Sequence, residues 1–272
     1  MTFAPAGTTL IERLGEGAVF EVGLVRSADG RISVIKRIAV AARGPDAETA
    51  ILRERDVLRA ARGAPLPQLV AFGSDALGDF LLESKALGAA ARCLLDQPKP
   101  LDAARWLSLA RAAAGALATL HAWQDAKGPL DIAHGDISPD NLFFGEEDEV
   151  TFVDLSSTTW RDGPSPAFAG DTGTMPYSAP ERLRGDAGST QETDVYALAA
   201  TLLALAVGPI TSAPTAAGRL WEAATSGVRS ERIEERSDLP RRARAALAAA
   251  LKFDPVERLA TARELVERLS SG

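Results

Sequence analysis

The feature that most limits how this chain can fold is a change of hydrophobic period part-way along it. Up to about Lys85 the apolar residues alternate, in Leu10 to Leu14, Phe20 to Arg26 and Ile32 to Ile38, as half-buried strands do. Ala-Asp-Gly at 28–30 supplies a tight turn, so these runs predict an antiparallel meander. A helix opened by Pro45-Asp46 follows, to about Arg62, and two further runs, Gln68 to Phe72 and Phe80 to Glu83, extend the sheet. Beyond Lys85 the step changes to three and four: Trp106, Ala110, Ala113, Leu117 and Leu120 make one face of a helix from about Asp102 to Trp123. The expected architecture is α+β, with a small N-terminal antiparallel sheet carrying one helix over residues 1–85 and a larger, mainly helical part over residues 86–272.

One strand pair, Asn141 to Phe144 and Val150 to Asp154, interrupts the helices, and a Ser-, Thr-, Gly- and Pro-rich stretch then runs to Pro180 as a predicted surface loop. The charge-free stretch Val195 to Gly218 is broken by Gly208, Pro209 and Pro214. It is too short for the roughly 20 residues of a membrane span and reads as a core helix. Thr261-Ala-Arg-Glu264 is a capping box for a last helix with a Leu265/Leu269 face. A formal charge of -7 without a basic cluster argues against nucleic acid or an anionic membrane as partner. Cys93 is the single cysteine, so no internal disulfide can form, and the first residues lack a secretory pattern. A cytoplasmic location is expected, and the Ala-, Arg- and Gly-rich composition points to a bacterial source.

Lys36 shares its strand face with Ile32, Val34 and Ile38, so its ammonium points to the apolar side and needs an anion there. Glu54, three residues after Ile51 and four before Leu58, puts a carboxylate in the buried stripe of the following helix, and pairing the two meets both needs. His134-Gly-Asp136-Ile-Ser-Pro-Asp-Asn141, with Asp154 after the strand pair, could cradle a divalent cation and leave Asp136 free as a base. Taken alone, these residue types also make ordinary turns. Gly15-Glu-Gly17, between the first two strands, could let the backbone approach a phosphate or serve only its turn.

In order and spacing together, these segments resemble the eukaryotic-type Ser/Thr protein kinase family. Leu14-Gly-Glu-Gly-Ala-Val-Phe-Glu-Val22 is similar to the glycine-rich loop and Val34-Ile-Lys36 to the strand carrying the phosphate-binding lysine. His134 to Asn141 is similar to the catalytic loop, and Asp154-Leu-Ser156 stands where the family has Asp-Phe-Gly. Gly173-Thr174 with Ala179-Pro180-Glu181, then Asp194, then Asp254-Pro-Val-Glu-Arg258 resemble the later motifs. The resemblance implies a two-lobed protein kinase-like fold that transfers the γ-phosphate of ATP, with Mg²⁺ or Mn²⁺, to Ser/Thr hydroxyls of a protein.

It further implies that Lys36, held by Glu54, contacts the phosphates, that Asn141 and Asp154 bind the metal, and that Asp136 is the base. Gly15, Gly17 and Val22 would cover the nucleotide, Leu82, Glu83 and Lys85 would form the adenine hinge, Thr174 would line the substrate site, and Glu181 would meet Arg258. Asp194 would open a buried helix. Four positions depart from the pattern: Phe20 for the third loop glycine, Gly135 for the catalytic-loop arginine, Ser138 for a γ-phosphate lysine, and Ser156 for glycine. Without an arginine at 135, switching by activation-segment phosphorylation is not expected. Thr158, Thr159 and Thr172 are candidate autophosphorylation sites. The competing functions are a nucleotide-binding scaffold without phosphotransfer and a small-molecule kinase of the aminoglycoside or choline kinase type, which lacks the Gly-Thr and Ala-Pro-Glu segment.

Overall fold

The computed structural model describes residues 3–17, 19–163 and 173–270. The alternating runs become five antiparallel strands, β1 (Thr8–Glu16), β2 (Phe20–Ser27), β3 (Ile32–Ile38), β4 (Leu69–Asp75) and β5 (Gly78–Ser84), in the order β1-β2-β3-β5-β4. Helix α1 (Pro45–Ala60) lies against the inner face, burying Ala50, Ile51, Val57 and Leu58 together with Arg53 and Glu54. Proline at its first position suits a helix start, since the missing N–H would have no intrahelical partner.

The outer face of the sheet is covered from an unexpected source. Phe3 and Ala4 pack with Val25, Ile35 and Leu82, and the carbonyl of Phe3 accepts a 2.8 Å hydrogen bond from Arg37 Nε. Arg37 is buried in turn and forks onto Asp75, at 3.0 and 2.6 Å. Gly23 makes room for this arrangement, because a β-carbon there would lie 2.9 Å from the Phe3 ring.

The remaining elements are mainly helical: β6 (Ala89–Ala90), α2 (Arg92–Leu95), α3 (Ala103–His121), β7 (Gln124–Asp125), β8 (Gly128–Pro129), β9 (Leu142–Phe144), β10 (Val150–Phe152), α4 (Pro180–Leu183), α5 (Gln191–Val207), α6 (Ala216–Ser226), α7 (Arg241–Ala250) and α8 (Ala262–Ser270). Helix α5 is buried almost throughout and forms the axis of this part; Trp106 of α3 is fully buried against it and donates from Nε1 to Leu202 O at 2.9 Å. The axial helix begins earlier than its apolar stretch, at a Thr190/Thr193 capping box, and so draws Asp194 into the interior. Among the described residues no helix is long and apolar enough to cross a membrane.

Candidate active site

A cavity of about 740 Å³ opens beneath the sheet, within the range of small-ligand pockets. Its roof is apolar, with Leu14, Val22, Leu24 and Val34; its floor has Phe143 and Val153; and Asp136, Asn141, Asp154 and Thr174 also line it.

Strand register sets the depth of each side chain. Lys36 of β3 lies opposite Val22 of β2 and Leu81 of β5, on the face that α1 covers. Its Nζ is in short contact with Glu54 Oε1, which also accepts the Leu155 N–H at 3.1 Å, and it lies 3.4 Å from Glu83 Oε1. Burial alone would lower the Lys36 pKa, but the carboxylates of Glu54, Glu83 and Asp154 outweigh it and hold the ammonium charged well above its ordinary range. Burial raises both carboxyls, Lys36 offsetting part of the shift; that of Glu83 is pushed up to about 7.

Of the residues expected around a nucleotide, Gly17, Val22, Lys36, Glu83 and Lys85 line the cavity, and Gly15 and Leu82 do not. Gly15 is paired with Val22 inside β1, and Leu82 faces the outer side with Phe3 because successive strand residues point oppositely. Phe20, in place of a glycine, is buried at the cavity edge and accepts the Gly17 N–H at 2.8 Å through its carbonyl.

The segment from His134 to Asn141 is pinned at its start by Asp194. Its carboxylate accepts the backbone N–H groups of His134 and Gly135, at 2.7 and 2.9 Å, and lies 3.0 Å from His121 Nε2. Burial would raise the Asp194 pKa, but these partners bring it below the usual carboxylate range. His134 is fully buried, which lowers its pKa; Nδ1 accepts the Asp136 N–H at 3.2 Å and Nε2 donates to Val153 O at 3.1 Å. The Asp136 carboxylate is then fixed at both oxygens, by Asn141 Nδ2 at 2.9 Å and by the Thr174 N–H at 2.6 Å.

Asn141 spends its amide nitrogen on Asp136, which leaves Oδ1 as a neutral oxygen donor, and the cavity it lines is also lined by Asp154. That donor set suits Mg²⁺ or Mn²⁺, which favour oxygen and take further ligands from phosphate and water. Among the described residues no group of three or more His, Cys, Asp or Glu side chains forms a cage of its own. Asp154 adopts φ 64°, whereas Ser156 is not in the left-handed region, so glycine is not required where the family has it.

Gly135 has a conformational reason to be glycine. Its φ is 84°, and a β-carbon there would lie 2.4 Å from Ser157 O and 2.6 Å from Ser189 Oγ. An arginine cannot occupy this backbone. The cation comes instead from α4, whose buried Arg182 donates to Gly135 O. A Gly135→Ala variant is expected to lose about 1–3 kcal/mol of stability, read as a lower denaturation midpoint; an unchanged midpoint would contradict this account of the position.

Glu181 and Arg258 form a buried two-pronged ion pair, at 2.6 and 3.0 Å, with the Arg258 guanidinium over the Tyr196 ring. Of the expected phosphorylation sites, Thr158 is not a surface residue and Thr159 is half-buried. Thr158 is fully buried and its hydroxyl donates to His134 O, while the Thr159 backbone bridges to Ala133, because this stretch folds back under the catalytic loop. Thr172 lies outside the described residues.

The family profile described as protein kinase domain matches residues 8–269. The chain belongs to the protein kinase family. Among curated relatives, the serine/threonine-protein kinase PknK of Mycobacterium bovis is 29% identical over 178 residues, 65% of this chain and 15% of that protein. PknK of Mycobacterium tuberculosis matches to the same extent. A probable serine/threonine-protein kinase of Dictyostelium discoideum is 32% identical over 81 residues, 30% of this chain and 5% of that protein. The kinase domain described here thus spans a small fraction of the length of these relatives.

Two features of this kinase site were not anticipated from sequence: the position of the Glu83 carboxylate beside Lys36, and the buried Arg53, which donates to Thr158 O at 3.1 Å. The first had a signal, since Glu83 has the same strand parity as the inward-facing Leu81. Arg53 had none, because arginine beside a helix stripe is ordinarily solvated.

Proposed function

We propose that the chain is an active serine/threonine protein kinase that transfers the γ-phosphoryl group of ATP to a Ser or Thr hydroxyl of a protein, its own chain included, with the lobe boundary near Lys85. The observation that carries this reading is the Asp136 carboxylate, fixed at both oxygens and facing the same cavity as Lys36 and Asp154.

In this reading the backbone after Glu83 receives the base and Lys36, kept charged by its carboxylates, meets the phosphates. Asn141 and Asp154 would hold Mg²⁺, which supplies positive charge against the phosphates when bound. Asp136 orients the incoming hydroxyl and takes its proton, and the Thr174 N–H and Asn141 amide keep the carboxylate from turning away. The described cations lining the cavity are Lys36 and Lys85. Ser138 is buried and does not line it, so neutralising the transferred group falls to the metal and Lys36. The relatives' names as serine/threonine-protein kinases and the Gly173-Thr174 motif support a protein hydroxyl as acceptor.

Incubation with γ-labelled ATP and Mg²⁺, followed by mass spectrometry, tests this. Phosphoserine or phosphothreonine on the chain or on an added protein is the expected result. Label only on an aminoglycoside or choline would make it a small-molecule kinase, and nucleotide binding without label would make it a scaffold.

A further inference from the structure

Lys36 has three N–H donors, and two carboxylates compete for them. Glu54 comes from α1, as the sequence pattern predicts, and Glu83 comes from the last turn of the pleat in β5, just before the segment that lines the cavity as Ser84, Lys85 and Ala86. Glu83 is 2% exposed. Its second oxygen is buried without a hydrogen-bond partner among the described residues, as is that of Glu54. Asp154 adds a third carboxylate to the surroundings of the same ammonium. The cluster therefore carries more acidic groups than its one cation can balance, and Glu83 is the member that neither α1 nor the metal site requires.

We propose that Glu83 is a positioning residue that competes with the nucleotide's phosphates for Lys36 and so holds nucleotide affinity down. The proposal rests on the reading of this cavity as the nucleotide site. A phosphate arriving at Lys36 meets an ammonium already shared by two acids, one of them facing the cavity from the strand that leads into the hinge. A divided ammonium attracts an anion less than one held by a single carboxylate, and a buried acid close by opposes the approach of further negative charge. Both effects act on the charged end of the ligand. The base and ribose should not register them.

The experiment compares the affinities of wild type and Glu83→Gln for Mg-ATP, Mg-ADP and adenosine by titration calorimetry, with Glu83→Leu as a second variant and thermal denaturation to confirm folding. Glutamine keeps the shape and can still accept from Lys36 through its amide oxygen, but carries no charge. The expected result is about tenfold tighter binding of both phosphorylated ligands, with adenosine unchanged. An equal shift for adenosine would show that the residue only shapes the cavity, and no shift for any ligand would show that it does not compete; either overturns the proposal. Failure of wild type and both folded variants to bind any nucleotide would overturn the nucleotide reading itself, and the proposal with it.

Discussion

Replacing Asp136 by alanine is expected to lower phosphoryl transfer by about a thousandfold or more, while leaving the fold and nucleotide binding near wild type. The carboxylate is held by the Asn141 amide and the Thr174 N–H, so it is already oriented before an acceptor arrives. On the proposed mechanism, removing it deletes the proton acceptor and also releases the two donors that align it. The comparison with Asp154→Ala separates the roles. That variant, on the same proposed mechanism, loses a metal ligand, so its nucleotide affinity in Mg²⁺ should fall along with its rate. Equal transfer by wild type and both variants, measured with labelled ATP, would refute the catalytic assignment.

The largest expected loss of stability follows from Arg258→Ala. It strips the buried Glu181 carboxylate of a two-pronged partner and empties the space over Tyr196. Breaking a buried pair from one side costs about 3–5 kcal/mol, because the remaining charge stays desolvated. For a domain of this size that is a fall in Tm on the order of 10 °C. Arg258→Lys keeps the charge without the fork and should recover only part of it. The exposed Arg229–Glu231 pair is the internal control, since Arg229→Ala should change stability by less than about 0.5 kcal/mol. Comparable losses from both variants would contradict the buried-pair account.

Much of the fold was legible because each period has one structural reading. The strand parity of Lys36, the stripe position of Glu54 and the broken apolar run of α5 all turn on spacing alone. What spacing does not carry is the far side of a contact. Leu82 was expected at the base because it lies near the hinge in sequence, yet pleating turns it toward Phe3, and the register of β3 with β5 fixes which parity, that of Leu81 and Glu83, points inward. The covering of the outer face by Phe3 depends on Gly23 across the sheet, a coincidence of positions with no local signature. Thr158 reads as a polar loop residue and is buried because the chain doubles back beneath His134. At the site the short fixed interval from Asp136 to Asn141 was the most legible part, and the two side chains do meet and line one cavity with Asp154.

Gly135 and Arg182 together bear on how this kinase could change over generations. An arginine at 135 would need a different backbone in the catalytic loop, and the carbonyl it flanks already has a cation from α4. Placing an arginine side chain at 135 would thus require two coordinated changes, reshaping the turn there and withdrawing Arg182 from the Gly135 carbonyl. Either change alone works against the packing of this loop, so the geometry opposes the stepwise acquisition of such a contact.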